Sequence, residues 1–457
     1  MTRSSAPRAI GMLGATTIVA GSMVGVGIFL TPHLVAQSVT SPGPFLLLWA
    51  LGGVIAIAGA VTYAELGAMI PDAGGDYVYL RRAFGPTLGF AAGVVLFAGV
   101  FAGSIASMSA AVSQYQLSLL AALVGVDLSA SWIDLSVVGL QLSGGELVAI
   151  LLILLLTVLN IAGVRLSSLT QTLLTLVPVG LLTVFAAGAL ATAPHASAVP
   201  AAASAGGVGS ISAAVLNVYF AYAGWNAVAY VGGEVADPGR TIPRALLLGT
   251  TLVTGLYLLL CAAWISVLGM GGIAEAFESG TAAARVLLGE SAEGVVAVII
   301  ALALVGSINA TVLGGARIGY AMGRDGALPR SFGALSEHGQ VPARALWAQA
   351  AFSVFLVASG TFEELVQLTS VAMFLLGSLT VGALFVLRRR EPGTERPYRA
   401  SAYPWLPLLY LATALSVIGF EFWSFATGAE GASGLPLLGI GVFVAVWLLR
   451  GLRGERR

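Results

Sequence analysis

The stretch Gly21-Ser22-Met23-Val24-Gly25-Val26-Gly27-Ile28-Phe29-Leu30 sets three glycines in a run otherwise apolar enough to span a membrane. It predicts a transmembrane helix broken near its middle. Lipid offers no water to freed N–H and C=O groups, so unwound backbone survives at membrane depth only where it is buried in protein or lines a cavity. The break is therefore a candidate binding site. A second one is predicted in Val218-Tyr219-Phe220-Ala221-Tyr222-Ala223-Gly224-Trp225-Asn226, inside the apolar segment between Ser210 and Glu234. Paired interrupted helices, one in each half of a chain, point to a secondary transporter.

The rest of the chain agrees with a membrane origin. Its 457 residues are 58% hydrophobic and 9% charged, with a mean hydropathy of +0.95. A soluble domain carries about a quarter charged residues. Windows of about 19 residues find roughly twelve spans. They lie near 10–38, 44–70, 85–122, 144–163, 167–192, 210–235, 244–268, 290–322, 344–359, 363–388, 404–427 and 434–450. The net charge is zero and all 21 basic residues are arginines. With the N-terminus in the cytoplasm, every arginine except Arg285 falls on the inner side. By the positive-inside rule this predicts cytoplasmic N- and C-termini and an even number of spans. The arginine clusters are explained by topology and call for no nucleic acid. The first span has no small-residue cleavage site and reads as a retained helix.

Soluble segments are short, and none builds a core of its own. The prediction is a single domain, 1–457, in which the Ala/Ser/Gly stretch from Ala196 to Gly209 links two halves. Five spans lie in about 10–192 and five in about 210–388, with two more in about 404–450. An odd number of spans per half forces the second half to enter the bilayer with opposite topology, which makes an inverted repeat natural. Cys261 is the sole cysteine, so neither an internal disulfide nor a cysteine metal site is available.

A half-helix starting after Gly27 presents free N–H groups and a positive dipole end to a carboxylate. Unwound carbonyls before that break and around Phe220 to Ala223 accept from an ammonium group. Together they suit a zwitterion, while the competing reading makes the glycines close-packing positions between helices. Glu65 and Glu234 fall near the inner ends of their spans, where arginines are plentiful, and are expected in ion pairs or an inner gate. His33 is read as a packing or solvated histidine, and Glu421 as paired locally or at an oligomer contact. Asn226 and Asn309 are candidate polar wall groups or helix-to-helix hydrogen bonders.

These residues resemble the amino acid-polyamine-organocation transporters, and within them the L-type amino-acid transporter group. The resemblance covers nearly the whole chain. It rests on the first break, on Tyr63-Ala64-Glu65-Leu66-Gly67 running into Gly74-Gly75-Asp76-Tyr77-Val78-Tyr79, and on Phe220 to Asn226. Glu234-Val235-Ala236-Asp237-Pro238 with Ile242-Pro243-Arg244-Ala245, and Arg317 with Tyr320 to Pro329, complete it. The resemblance implies an all-α membrane protein of the five-plus-five inverted-repeat (LeuT-like) fold with helices 1 and 6 broken. It implies a substrate carboxylate on the N–H groups of Gly25, Val26 and Gly27, and an ammonium on the carbonyls of Met23, Phe220, Ala221 and Ala223. Val26 stands where the family usually has a small polar residue, so the donors stay and a hydroxyl is lost. Phe220 matches the aromatic gate over the substrate. Ala223 sits where the family varies beside the substrate side chain.

The function expected is movement of neutral L-amino acids across the cell membrane by alternating access. Neutral substrates are expected because no acid lies at the middle of spans 1, 3, 6, 8 or 10. No nucleophile-base-acid set, phosphate loop, cofactor motif or metal cluster marks an enzyme. A channel would need repeated rings of carbonyls or charges, and a non-transporting amino-acid sensor would share both breaks. Eukaryotic members pair through a cysteine after the third span with an ancillary glycoprotein; the loop Gly125 to Gly145 has none, so no disulfide-linked subunit is expected. In many relatives a fifth-span lysine fills the place of sodium in more distant members. Here that position is Pro178, after Asn160, Gly163, Gln171 and Thr175. An uncoupled exchanger or facilitator is expected first. Sodium held by Ser307, Thr311 and first-span carbonyls, or proton coupling, is the alternative.

Overall fold

The computed structural model describes residues 7–135, 140–192, 208–337, 339–359, 362–428 and 434–454. The linker from Ala196 to Gly209 lies outside them apart from Val208 and Gly209, as do Arg3, Arg456 and Arg457. The first span is α1 (Met12–Met23), a short α2 (Val26–Leu30) and α3 (Pro32–Ser38), followed by α4 (Pro42–Met69). Next comes α5 (Asp76–Phe84), a nine-residue helix between spans. A continuous helical run then holds α6 (Pro86–Val94), α7 (Ala102–Ala111) and α8 (Ser118–Leu123), with π-helical turns at Val95–Phe101 and Val112–Leu117 between them. A hairpin, β1 (Ser131–Leu135) and β2 (Leu140–Ser143), was not foreseen in the sequence. α9 (Gly144–Ala162) and α10 (Val164–Thr192) close the first half.

The second half starts with α11 (Val208–Ala221) and α12 (Ala227–Tyr230), then α13 (Pro238–Glu275), α14 (Ser279–Leu288) and α15 (Glu290–Arg324). α16 (Ala343–Ser359), α17 (Phe362–Arg390), α18 (Trp405–Thr427) and α19 (Leu435–Gly454) complete the chain. Among the described residues, nine helical segments are long and apolar enough to cross a membrane. The predicted spans at 210–235, 344–359 and 434–450 hold shorter helices. The first of these is short because the second break cuts it after Ala221.

Burial sorts these helices. The window of Met12–Leu30 is 83% buried and that of Val164–Thr192 only 28%. A helix hydrophobic all round and fully enclosed is a core element, whereas one with an exposed apolar face meets lipid. The broken helix is therefore the centre of the bundle, with α13, α10 and α15 packed around it. At one end the strand-like residues Ile10 and Val235 pair in parallel and Ala73 pairs with Val231, so segments flanking both breaks are stitched together.

Two carboxylates foreseen as ion-pair members are placed there. Glu234 receives Arg317 Nε and one terminal nitrogen at 2.9 and 3.0 Å, with both side chains buried. Glu65, fully buried, receives Arg388 Nε at 3.0 Å, has Arg396 Nε 3.2 Å away, and accepts the Ala400 N–H at 2.7 Å. Arg81 with Asp325 and Arg82 with Glu391 add half-exposed pairs on the same end. An enclosed ion pair repays its desolvation only with such geometry. His33 packs against Phe277, with ring centres 5.4 Å apart. Glu421 is half-buried on α18.

Candidate binding site at the two helix breaks

Local backbone explains where the first helix stops. Val24 and Gly25 leave the helical region (Val24 ψ 75°, Gly25 φ −120° and ψ −161°), and the helix resumes at Val26. The break thus falls two residues earlier than the expected restart after Gly27. Gly27 lies inside α2, where a β-carbon would sit 2.3 Å from Ala221 Cα. Its smallness lets the two breaks touch. In the second break Gly224 takes a left-handed conformation (φ 99°), and a β-carbon there would meet the Ser22 carbonyl oxygen at 2.6 Å. Glycine alone fits both demands.

Between the breaks is a cavity of about 120 Å³, room for several water molecules. Met23, Gly25, Val26, Gly27, Phe220, Ala221, Ala223 and Asn226 all line it, so the structure brings the sequence-predicted substrate residues together. Its wall also takes in Phe101 and Met108 from the third span, Ser307 and Thr311 from α15, and Tyr410 from α18. Tyr219 stacks on Phe374 with ring centres 3.7 Å apart and hydrogen-bonds Tyr410, closing one side with aromatics.

The polar groups are partly engaged with each other. Met23 O accepts from the Gly25 N–H at 2.8 Å and from the Tyr257 hydroxyl, which also donates to Ala221 O at 3.0 Å. Phe220 O accepts from the Ala223 N–H at 3.0 Å. Carbonyls expected to be open to an ammonium are thus already used, and Met23 O has both lone pairs filled. Val26 and Gly27, as the first residues of α2, keep N–H groups beyond the reach of its intrahelical bonds.

Pro178 stands apart from the cavity. It is buried within α10 and has no N–H for the carbonyl four residues back, Leu174. That carbonyl faces Gly306 of α15, where a β-carbon would lie 2.9 Å from it. The first helix is held instead by Thr175, whose hydroxyl donates to Thr17 O at 3.1 Å, with Gln171 beside it. Asn309 donates to Gln171 at 2.8 Å and accepts from Asn160 at 2.8 Å. Asn309 is therefore a helix-to-helix hydrogen bonder, while Asn226 is a wall group. Ser307 donates to Ser22 O at 3.0 Å, and Thr311 to Ser307 O at 2.8 Å.

Two participants escaped the sequence reading. Tyr257 sits in a span full of apolar residues, with no pattern to separate it from packing aromatics. Asp76 was quoted within a motif but lies in a segment that reads as a loop. α5 carries it into the cavity wall, 2% exposed, with Oδ2 accepting from the Tyr230 hydroxyl at 2.6 Å. The sequence expectation concerned the middles of spans 1, 3, 6, 8 and 10; the one acid on the cavity wall comes instead from α5, between spans. No His/Cys/Asp/Glu group suited to a metal exists among the described residues.

Comparison with known proteins agrees with this architecture. The serine/threonine exchanger SteT of Bacillus subtilis (strain 168) is 30% identical over 422 residues, 90% of each chain. The mouse b(0,+)-type amino acid transporter 1 is 28% identical over 423 residues, 91% of this chain and 82% of that one. The human large neutral amino acids transporter small subunit 2 is 27% identical over 426 residues, 91% of this chain and 76% of that one. The profile described as amino acid permease matches residues 10–446. A match over nearly the whole chain, with apolar helices around a doubly broken core, means that this multi-pass membrane protein belongs to the amino acid permease family and is a transporter, not an enzyme.

Proposed function

We propose that the protein exchanges neutral L-amino acids across the cell membrane by alternating access around the two breaks. The observation that carries this reading is the contact of both breaks across one cavity, with the Tyr257 hydroxyl bonded to a carbonyl of each. In the proposal, the substrate carboxylate meets the N–H groups of Val26 and Gly27 at the start of α2, and Gly25 joins when its bond to Met23 O opens. The ammonium meets carbonyls of Ala221, Ala223 and Phe220, and Met23 when Tyr257 releases it. Asn226 forms a polar wall, Ala223 limits the side chain, and Phe220 is the gate. Apart from Asp76, the cavity wall carries no charged residue, which favours neutral substrates.

The twelve-span, five-plus-five arrangement belongs to the same proposal, with repeats over about 10–192 and 210–388 and two added helices in one domain. It is supported by matching details. Each third span of a half is preceded by a short helix, α5 or α14, ending in a left-handed glycine, Gly85 (φ 97°) or Gly289 (φ 87°). The arginine distribution supports cytoplasmic termini, so the stitched end with Glu65 and Glu234 faces inward. No disulfide-linked subunit is proposed, since Cys261 is buried and the loop Gly125 to Gly145 has no cysteine.

The test is counterflow in proteoliposomes. Labelled serine, threonine, alanine or leucine should enter vesicles loaded with unlabelled amino acid far faster than empty ones. Binding without entry would make the protein a sensor, and equal entry into empty vesicles would make it a facilitator.

A further inference from the structure

Among the described residues, the buried carboxylates fall into two kinds. Glu65 and Glu234 face arginines at hydrogen-bond distance. Asp76 has none. The groups around it are hydroxyls: Tyr230 from α12 bonded to Oδ2, and Tyr63 from α4 and Thr380 from α17 close by. Its Oδ1, the Tyr63 hydroxyl and the Thr380 hydroxyl are all buried, and the two hydroxyls act on the Asp76 carboxylate itself. Tyr79 on α5, and beyond it Tyr219 and Tyr410, are the other titratable neighbours. Arg317 of α15 and Arg388 of α17 are committed to Glu234 and Glu65. Asp325 is bonded to Arg81 and Tyr77 at the surface side of α5. A proton can thus reach Asp76 without breaking an ion pair.

Its position gives that proton a consequence. The Gly74 N–H donates to Tyr230 O at 2.9 Å, Ala73 pairs with Val231, and a β-carbon on Gly75 would sit 2.5 Å from the Tyr230 ring. This seam joins the segment before α5 to the second break. Asp76 stands on it, and Tyr230 reaches on to Asn226 at 3.4 Å, itself a cavity wall residue. Opening the inner end of the cavity must part the seam and expose the carboxylate to water.

We propose that Asp76 is a proton-binding site on the translocation path, occupied while the seam is closed and emptied when it opens inward, so that amino-acid movement is linked to the proton gradient. The site rests on reading the cavity as the transport site and adds a driving ion to it. Burial pushes the Asp76 carboxyl up from the usual range to about 6, and the hydroxyls of Tyr230, Tyr63 and Thr380 pull the other way. Below that pH the acid is neutral and suits its dry surroundings; above it the seam must hold a charge.

The experiment measures labelled amino-acid entry into amino-acid-loaded and empty proteoliposomes between pH 5 and 8, with a pH-sensitive dye inside. The wild type should show a rate that changes around pH 6, and entry into empty vesicles that rises several-fold when the outside is acid, with acidification of the lumen. Asp76→Asn should flatten the pH profile and abolish the acid-driven entry and the dye signal. Tyr230→Phe removes a hydrogen bond that favours the charged form, so its profile should move to higher pH, and this variant decides the matter where Asp76→Asn does not fold. Wild-type exchange that is flat with pH, or an unchanged profile in either variant, overturns the proton site while leaving the exchanger standing. No exchange at any pH overturns the transport reading itself.

Discussion

Gly27 and Ala221 meet backbone to backbone at the centre of the bundle: a β-carbon on the glycine would lie 2.3 Å from Ala221 Cα and 2.8 Å from its methyl. The contact shows that any side chain drives the two breaks apart. Gly27→Ala should therefore cost about 1–3 kcal/mol of stability by overpacking, seen as a lower melting temperature in heated detergent extracts. Gly27→Leu should fail to give monodisperse protein. A Gly27→Ala variant that melts like the wild type but no longer binds would return the position to direct substrate contact.

Tyr257 is the second central device. Its one hydroxyl is bonded to Met23 O and Ala221 O, so it fixes the spacing of the carbonyls proposed for the ammonium. Tyr257→Phe leaves the ring and removes the tie. Ala221 O loses its partner, at about 1–3 kcal/mol unless water reaches it, while Met23 O keeps the Gly25 N–H, and the breaks lose their register. Substrate affinity should fall about tenfold, matching roughly 1.4 kcal/mol, with little change in melting temperature in the absence of ligand if water enters. Scintillation-proximity binding beside thermal unfolding separates the two. Unchanged affinity would show that the substrate does not use this tie.

Glu234 and Arg317 form the most enclosed ion pair, 2% and 1% exposed. Removing one partner leaves a charge without compensation inside the protein, so Glu234→Gln or Arg317→Met should destabilise by about 3–5 kcal/mol. The double variant should recover a large part of that loss, because no charge is left buried. A double-mutant cycle on thermal unfolding measures the coupling. Simple addition of the two single effects would mean that the pair is not the stabilising unit.

What the sequence made legible followed from backbone chemistry. Glycines in an apolar run can be read as breaks because lipid tolerates unpaired backbone only at a cavity or a protein contact, and acids beside arginines at span ends can be read as ion pairs. Tyr257 and Tyr410 were not legible, since a tyrosine in a span looks the same whether it faces lipid, a core or a carbonyl. Asp76 was hidden for a different reason. α5 is too short and too polar to read as a membrane span, and only the fold turns its first residue inward. The restart of the helix at Val26 was missed by two residues because Gly25, not Gly27, carries the extended backbone.

Sodium is expected to leave the exchange rate unchanged. Ser307 and Thr311 were candidate ligands, together with first-span carbonyls. In the structure the Ser307 hydroxyl donates to Ser22 O and the Thr311 hydroxyl donates to Ser307 O, a chain that already satisfies one first-span carbonyl. A further carbonyl, Thr17 O, is held by Thr175 with Gln171 alongside, on the helix where relatives place lysine. Neutral amide and hydroxyl donors thus take up the first helix without a cation. A hard cation binds through several oxygens at once, and the carbonyls that these hydroxyls donate to, Ser22 O and Ser307 O, would have to give up or share their present hydrogen bonds to join such a set. Exchange should therefore proceed at the same rate when sodium is replaced by choline. Ser307→Ala should cost about 1 kcal/mol, the net value of one hydrogen bond, and should leave the sodium response absent. A rate that climbs with sodium in the wild type and is flat in Ser307→Ala would place the cation at this serine and overturn the prediction.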